Sequence, residues 1–451
     1  MARYFGTDGI RGRAGEGKLS PASLEAMARA IGAHFGTGCT AVIGRDTRES
    51  GPELERALIR GLSSQGIGVK RIGVLPTPAT AFAVPHLNAD LGLMITASHN
   101  PWHDNGVKLF GSDGRKVSDA DQDRIETWIT TAFDDGISDA AVAGEATDVD
   151  GIADAYVEVL LAAFRSTGQE SLNGLRLVVD CANGAAFRSL PAALDALDAD
   201  IVLMGADPDG RNINAGCGST HPEALAKAVL DHGAKAGIAL DGDADRLIMV
   251  DAKGRIVDGD AVMARLATDW IAQGRLKGGR VVSTVMSNLG FERYLETLGL
   301  TLDRTPVGDR HVAARMAETG ANLGGEPSGH LLLTDYGPTG DGSLAALMSL
   351  ASMAGASMAG SDGDAADHFQ LYTPYPQQLV NVRYSGASPM EQPAVTEAIA
   401  KVDARLGDAG RVLVRASGTE PLIRIMAEGL DAASVSDAVE ELRAVVAEAA
   451  S

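Results

Sequence analysis

From residue 40 to residue 324 the chain alternates short apolar runs with amphipathic stretches three times over, and this recurrence restricts the fold more than any other feature. The first passage reads strand 40–43, helix 52–63, strand 69–74, helix 78–85 and strand 91–96. After Gly174 the order returns as strand 175–179, helix 187–195, strand 201–204, helix 222–232 and strand 237–240. After Gly279 it returns again as strand 280–284, helix 289–298, strand 301–304, helix 310–318 and strand 321–324. Apolar runs of strand length that alternate with helical periodicity predict βαβ units. The expected fold class is α/β: three similar α/β domains with mixed, mainly parallel sheets. No residue-level repeat accompanies the recurrence, so shared architecture is the reading. Residues 351–367 differ, being rich in Ala, Gly, Ser and Met with ASMAG twice in tandem. Their start extends a helix from Gly342, and their end reads as a flexible surface segment. Residues 371–376 read as a linker. Strand 379–383, helix 389–405, strands 411–414 and 422–427 and helix 433–449 then form a small C-terminal α+β domain. The expected limits are 1–150, 151–250, 251–370 and 371–451.

A length of 451 residues accommodates these domains at about 150 residues each. The formal charge of −21 argues against nucleic acid or an anionic membrane as partner. An acidic protein that handles phosphate must concentrate arginines locally, and several arginines here fall inside motifs. Cys39, Cys181 and Cys217 are too far apart for a disulfide framework or a zinc site, which fits a reducing cytoplasm. No apolar signal core opens the chain and no stretch approaches a membrane span.

The loop Asp241-Gly242-Asp243-Ala244-Asp245-Arg246 lies between the apolar runs 237–240 and 247–250, which read as two strands joined by a turn. In an extended or turning backbone alternate side chains share a side, so its three carboxylates converge. Alone they would repel, and a hard divalent ion such as Mg²⁺ resolves the repulsion. A solvated acidic turn is the plainer alternative. A helix-loop-helix calcium site fails, because it needs Gly and Glu where this chain has Arg246 and Ala252. Arg246 beside the carboxylates points to an anionic, phosphorylated ligand.

Three further loops carry chemistry. Thr96-Ala97-Ser98-His99-Asn100-Pro101 ends a predicted strand, where open α/β sheets place ligands. Ser98 is there a candidate nucleophile or phosphate carrier, or simply part of a turn before Pro101; no G-x-S-x-G elbow supports a serine hydrolase. Lys108, after the turn-prone Asp104-Asn105-Gly106, reads as a lysine in a partly desolvated loop, suited to acid–base work or to mere surface charge. In Gly325-Glu326-Pro327-Ser328-Gly329-His330, an extended loop would point Glu326, Ser328 and His330 the same way. Carboxylate and hydroxyl suit sugar hydroxyls, and His330 suits proton transfer; a glycine-rich turn is the alternative. Arg415-Ala416-Ser417-Gly418-Thr419-Glu420-Pro421 with Arg424 offers two cations, two hydroxyls and a glycine-permitted nest, the needs of a phosphate monoester. Phe5–Gly12, with Arg11, and Gly44-Arg45-Asp46-Thr47-Arg48 are less specific; Arg11 could face a transferring phosphoryl group, and their other residues could do no more than fix turns.

TASHNP, DGDADR, GEPSGH and RASGTEP, in this order and one per domain, resemble the α-D-phosphohexomutase superfamily over essentially the whole chain. FGTDGIRG (5–12), the PDGRNIN…CGSTH run (208–221) and VGDR (307–310) resemble its phosphoglucosamine mutase branch rather than the phosphomannomutase/phosphoglucomutase branch. The resemblance implies four domains around a central cleft and interconversion of hexosamine 6- and 1-phosphates through a phosphoserine at Ser98. One Mg²⁺ would be held by Ser98, Asp241, Asp243 and Asp245. Glu326 and Ser328 would bind sugar hydroxyls. Arg415, Ser417, Gly418, Thr419 and Arg424 would bind phosphate. Lys108 and His330 match acid–base positions, and Arg11 and Arg246 match positions near the transferred group. It further implies glucosamine 1,6-bisphosphate or glucose 1,6-bisphosphate as activator, a homodimer, and a kinase or bisphosphate donor that primes Ser98. A silent sugar-phosphate sensor is disfavoured by the intact Ser98, Lys108, His330 and aspartates; a metal-dependent phosphatase would show net phosphate release. Two positions depart from the family: Pro327 stands where this branch commonly has Gln, and Ala416 where relatives often have Pro or Lys. Both neighbour the contacting residues without replacing them.

Overall fold

The strands of the first region are β1 (Ile10–Arg13), β2 (Thr40–Arg45), β3 (Gly68–Val74), β4 (Leu91–Ile95), β5 (Asp104–Gly111) and β6 (Ala146–Asp148), with helices α1 (Pro21–Phe35), α2 (Gly51–Ser64), α3 (Thr77–His86) and α4 (Asp119–Asp134). They come from a computed structural model that describes residues 4, 6, 9–134, 139–358, 367–417 and 421–450. The sheet order is β1-β5-β4-β2-β3-β6. β2 runs parallel to β3 and β4, and β5 turns back antiparallel to β4. β4 is buried along its whole length, as its unbroken apolar run requires when helices cover both faces of a sheet. In α2, Leu54, Ala57, Leu58, Gly61 and Leu62 recur at helical spacing and are all buried, as are Leu24, Met27 and Ile31 of α1. Ser20 caps α1 by accepting the Ser23 amide at 3.2 Å, with Pro21 at the first helical position.

The second region contains α5 (Ile152–Arg165), β7 (Arg176–Asp180), α6 (Ser189–Asp195), β8 (Asp200–Met204), α7 (Glu223–His232), β9 (Ala236–Leu240), β10 (Leu247–Asp251) and β11 (Ile256–Val257). Its sheet, β11-β10-β9-β7-β8, has the same plan: β7 parallel to β8 and β9, then β10 antiparallel to β9. Next come α8 (Gly259–Ala272), β12 (Arg280–Thr284), α9 (Leu289–Thr297), β13 (Thr301–Thr305), α10 (Asp309–Thr319), β14 (Leu323–Gly325), β15 (Leu331–Leu333) and α11 (Gly342–Met358). Here β12 is parallel to β14, and β15 returns antiparallel to β14. Each region therefore follows one parallel strand directly with an antiparallel return strand, β4 with β5, β9 with β10 and β14 with β15. The loops 96–103, 241–246 and 326–330 occupy this one topological position, at the carboxyl end of the parallel strand before the return.

The C-terminal region has β16 (Gln377–Arg383), α12 (Pro393–Leu406), β17 (Gly410–Ala416), β18 (Leu422–Gly429) and α13 (Ala432–Ala449). Its sheet is antiparallel throughout, ordered β16-β18-β17. Val395, Val402, Ile423, Ile425, Val439 and Leu442 form its core. The single helix expected over 389–405 is in fact a 3-10 turn (Pro389–Glu391) followed by α12. Gln392 between them is extended, at φ −69° and ψ 136°, because the ring of Pro393 disfavours helical backbone before it.

The chain divides into two units, Met1–Thr284 with Thr305–Phe369, and Val285–Arg304 with Gln370–Ser451. In the second unit Tyr372 stacks on Phe291 and Tyr294, and Arg411 donates to the carbonyls of Val285 and Ser287 at 2.9 and 2.8 Å. Residues 371–376 have no regular structure. The end of the Ala/Gly/Ser/Met-rich segment, 359–366, lies outside the described residues, as do Gly418 and Thr419. No helix of the described residues is long and apolar enough to cross a membrane.

Candidate active site

Asp241, Asp243 and Asp245 are all buried, and one oxygen from each lies within 4.8 Å of the others. The turn between β9 and β10 brings them together: Ala244 takes a left-handed conformation at φ 58°, and its N–H closes onto the Asp241 carbonyl at 3.0 Å. Gly242 is required there, since a Cβ would sit 2.6 Å from the Ser98 carbonyl oxygen. Through that contact Ser98 meets the acidic loop. Ser98 Oγ donates to Asp241 Oδ2 at 2.6 Å, and the Arg246 amide donates to Asp241 Oδ1 at 3.2 Å. Ser98 is itself left-handed at φ 52°, a conformation that costs a non-glycine residue on the order of 1–3 kcal/mol.

Lys108 Nζ donates to Asp243 Oδ2 at 2.8 Å and to Asp245 Oδ2 at 2.7 Å. The expectation of a partly desolvated loop lysine is corrected in one respect. Lys108 lies on β5 opposite Met94, 2% exposed, because the turn-prone residues before it begin the return strand. The cluster remains crowded with negative charge. Burial, then Asp245 and Asp243, push the Asp241 carboxyl well up, against the opposing pull of Arg246 and the Ser98 hydroxyl. Asp243 Oδ1 is buried without a hydrogen-bond partner among the described residues. A hard divalent cation satisfies both conditions, supplying positive charge and a partner for oxygen-only ligands. The donor set therefore fits Mg²⁺.

Around the cluster, burial and the charges of Arg246 and Arg11 lower the His99 pKa to about 4, so its ring is neutral at pH 7. Both arginines thus bring positive charge to the neighbourhood of Ser98. Residue 246 pairs with His330 in an isolated bridge, and the Leu247 amide donates to the Gly329 carbonyl at 2.9 Å, so the acidic loop and the loop 326–330 are joined. That second loop is a tight turn rather than extended. Gly329, at φ 88°, returns its N–H to the Glu326 carbonyl at 2.9 Å. Glu326 and Ser328 remain together, the hydroxyl donating to Glu326 Oε2 at 3.3 Å, while Glu326 Oε1 accepts the Gly308 amide at 3.0 Å. His330 is 3% exposed, with Nε2 3.4 Å from Asp309 Oδ2 and 3.8 Å from Asp245 Oδ2.

Arg415 and Arg424 face each other directly across β17 and β18 in the second unit. Like charges in cross-strand register are unfavourable without an anion. Burial and the neighbouring Arg424 hold the Arg415 pKa below its usual value, and Arg424 Nε is buried without a hydrogen-bond partner among the described residues. The Ser417 amide bonds the Leu422 carbonyl at 2.8 Å, which positions this residue at the start of the loop.

Two contributors carried no role in the sequence. Thr77, buried at the start of α3, donates through Oγ1 to Asp243 Oδ2 and through its amide to the Asp243 carbonyl at 2.9 Å. Its position just past a parallel strand was the available signal. Asp309, in a motif read only for its resemblance, bonds Lys116 and approaches His330.

Four family models match the chain in order: phosphoglucomutase/phosphomannomutase alpha/beta/alpha domain I over residues 2–135, domain II over 154–254, domain III over 258–372, and the C-terminal domain over 379–445. A phosphoglucosamine mutase of Sphingopyxis alaskensis is 49% identical over 443 residues, spanning 98% of each chain. One of Caulobacter vibrioides is 49% identical over 447 residues, again spanning 98% of each. Among solved structures, a phosphoglucomutase/phosphomannomutase family protein from Burkholderia thailandensis has a TM-score of 0.81 at 25% identity, over 100% of this chain and 98% of that one. N-acetylphosphoglucosamine mutase of Aspergillus fumigatus, in complex with GlcNAc-6P and magnesium, shares the fold with a TM-score of 0.68 at 19% identity, over 99% of this chain and 96% of that one.

Proposed function

The chain belongs to the phosphoglucomutase/phosphomannomutase family of the α-D-phosphohexomutase superfamily, and from that premise we propose that it is a phosphoglucosamine mutase, interconverting glucosamine 6-phosphate and glucosamine 1-phosphate. The observation that carries the mechanism is the 2.6 Å bond from Ser98 Oγ into a buried cluster of three aspartates. The near-full-length likeness to proteins named phosphoglucosamine mutase supports the amino sugar as substrate.

Ser98 carries the phosphoryl group in the resting enzyme. Asp241, Asp243 and Asp245, with an oxygen of that group, would hold Mg²⁺, which when bound neutralises charge on the transferring phosphoryl. In the first half-reaction the Oγ–P bond breaks while O1 of glucosamine 6-phosphate bonds to phosphorus. The O1 proton passes to a base, for which His330 and Lys108 are the candidates. Glucosamine 1,6-bisphosphate results, and Ser98 Oγ takes up a proton as it leaves, giving a free hydroxyl whose hydrogen bond to Asp241 keeps Oγ aimed at the site. The bisphosphate reverses, Ser98 Oγ gives up its proton as it bonds to the phosphorus on O6, the O6–P bond breaks, and O6 takes up a proton. Glucosamine 1-phosphate leaves and Ser98 is phosphorylated again. Arg11 and Arg246 would stabilise the transferring group; Glu326 and Ser328 would hold sugar hydroxyls. Arg415, Ser417, Gly418, Thr419 and Arg424 would hold the phosphate that is not reacting. The proposal includes activation by glucosamine or glucose 1,6-bisphosphate, priming of Ser98 by a kinase or such a donor, a homodimer, and a cytoplasmic role in supplying amino-sugar precursors for cell-wall synthesis.

The test is kcat/KM with Mg²⁺ and glucose 1,6-bisphosphate for glucosamine, glucose and mannose 6-phosphates. A preference for the amino sugar of roughly tenfold or more is expected. Better use of glucose or mannose would move the chain to the sister activity and make Pro327 the first residue to exchange. Phosphate release without isomerisation, or binding without turnover, would overturn the mutase reading.

A further inference from the structure

Arg48 is 1% exposed, and its five N–H donors are matched by five acceptors. Nε donates to Asp46 Oδ2 at 2.8 Å. Nη2 donates to the carbonyls of Ser98 and Asn100, each at 2.9 Å, and Nη1 to those of Pro101 and Asp104, the latter at 2.9 Å. One guanidinium therefore gathers the carbonyls of Ser98 and of the chain that leaves it, as far as Asp104. Asn214, from the segment between β8 and α7, reaches the same loop: its Nδ2 donates to the Ser98 carbonyl at 2.9 Å and the Asn100 carbonyl at 3.1 Å. The amide side of Ser98 is tied to the same network, since Ser98 N–H donates to Thr96 Oγ1 at 2.9 Å and Thr96 Oγ1 donates to Asp46 Oδ2 at 2.7 Å.

We propose that Arg48 and Asn214 are positioning residues that hold Ser98 in its left-handed conformation, so that Oγ stays aimed at the aspartate cluster whether or not it carries a phosphoryl group. This rests on the mutase reading above. The need follows from the reaction. Ser98 alternates between a dianionic ester and a neutral hydroxyl, and its own side-chain bonds must change each time. The contacts of Arg48 and Asn214 end on backbone carbonyls and on Asp46, so they are the same in both forms. In-line transfer tolerates little drift, and an ångström of misplacement can cost about 100-fold.

The test uses full-length enzyme with Mg²⁺, glucose 1,6-bisphosphate and glucosamine 6-phosphate, and compares wild type with Arg48→Lys, Asn214→Ala and Asn214→Asp. Lysine keeps the charge but offers three donors without a planar fork; aspartate keeps the shape of Asn214 and removes both donors. Expected are a fall in kcat of about 100-fold for Arg48→Lys and roughly tenfold for Asn214→Asp, with KM within about twofold of wild type. Asn214→Ala should fall between wild type and Asn214→Asp. Hydrolysis of phosphorylated Ser98 should rise relative to transfer, a partition that a loss of folded protein would not move. If Arg48→Lys fails to fold, Asn214→Asp decides. Folded variants with wild-type kcat and partition would overturn the positioning role, whereas wild-type protein without flux would overturn the mutase reading instead.

Discussion

Asp243 uses its two oxygens differently. Oδ2 is taken by Thr77 and Lys108, while Oδ1 is buried and has no hydrogen-bond partner among the described residues, so the carboxylate is held through one oxygen only. Groups that orient a metal ligand in this way commonly affect metal affinity 10–100-fold. Thr77→Val, which keeps the volume and removes the donor, should therefore raise the Mg²⁺ concentration for half-maximal flux by about that factor, as read from a Mg²⁺ titration at saturating substrate. An unchanged titration would remove Thr77 from the site. The acidic triplet was legible because its spacing and flanking strands speak locally. Thr77 was not, since its partner is 166 residues away in sequence. Lys108 was found as a residue but misplaced as loop, because Asp104-Asn105-Gly106 reads as a turn until β1 and β4 are there to pair with it.

The three motif loops are one structural device used three times, each joining a parallel strand to its antiparallel return. The strands and helices preceding them were legible from periodicity alone. The return strand β15 was not, at three residues, and neither were α1, α4, α5 and α8, which lie outside the strand–helix alternation. Loop conformation was the other gap: extended backbone was assumed at 326–330, where Gly329 makes a turn. A Cβ on Gly329 would lie 2.0 Å from the Leu247 carbonyl oxygen. Gly329→Ala should therefore separate this loop from β10, lowering Tm and raising KM for the sugar phosphate; melting and steady-state kinetics on the purified variant check both. At the start of α11, Asp341 accepts the Leu344 amide at 2.9 Å and the Tyr156 hydroxyl at 2.8 Å. Burial nevertheless raises its pKa from 3.8 to about 6. An acid with a raised folded pKa contributes stability that is fully present below the unfolded value and is lost as pH rises through the folded value. Asp341→Asn should gain stability relative to wild type between pH 4 and pH 6 and hold a constant difference above, measured by urea unfolding across that range. A difference that does not change with pH would contradict this.

At the scale of the molecule, a charge of −21 and a buried carboxylate cluster predict a native state sensitive to divalent cations. A ligand that binds only the folded form stabilises it by about 1.4 kcal/mol for each tenfold excess over Kd. Chelation should therefore lower Tm as well as abolish flux, and Mg²⁺ should restore both in wild type but leave the Tm of Asp243→Asn unmoved. Differential scanning calorimetry with and without Mg²⁺ provides the check. The central claim is that Ser98 passes its phosphoryl group to the sugar, and isotope transfer tests it most directly. Protein labelled with ³²P on Ser98 would be mixed with unlabelled glucosamine 6-phosphate and Mg²⁺ and quenched within a few turnovers, with Ser98→Ala assayed alongside. Label should move from protein into glucosamine phosphates, with no flux in Ser98→Ala even with bisphosphate supplied. Label that stays on the protein while product forms, or full activity in Ser98→Ala, would contradict that claim.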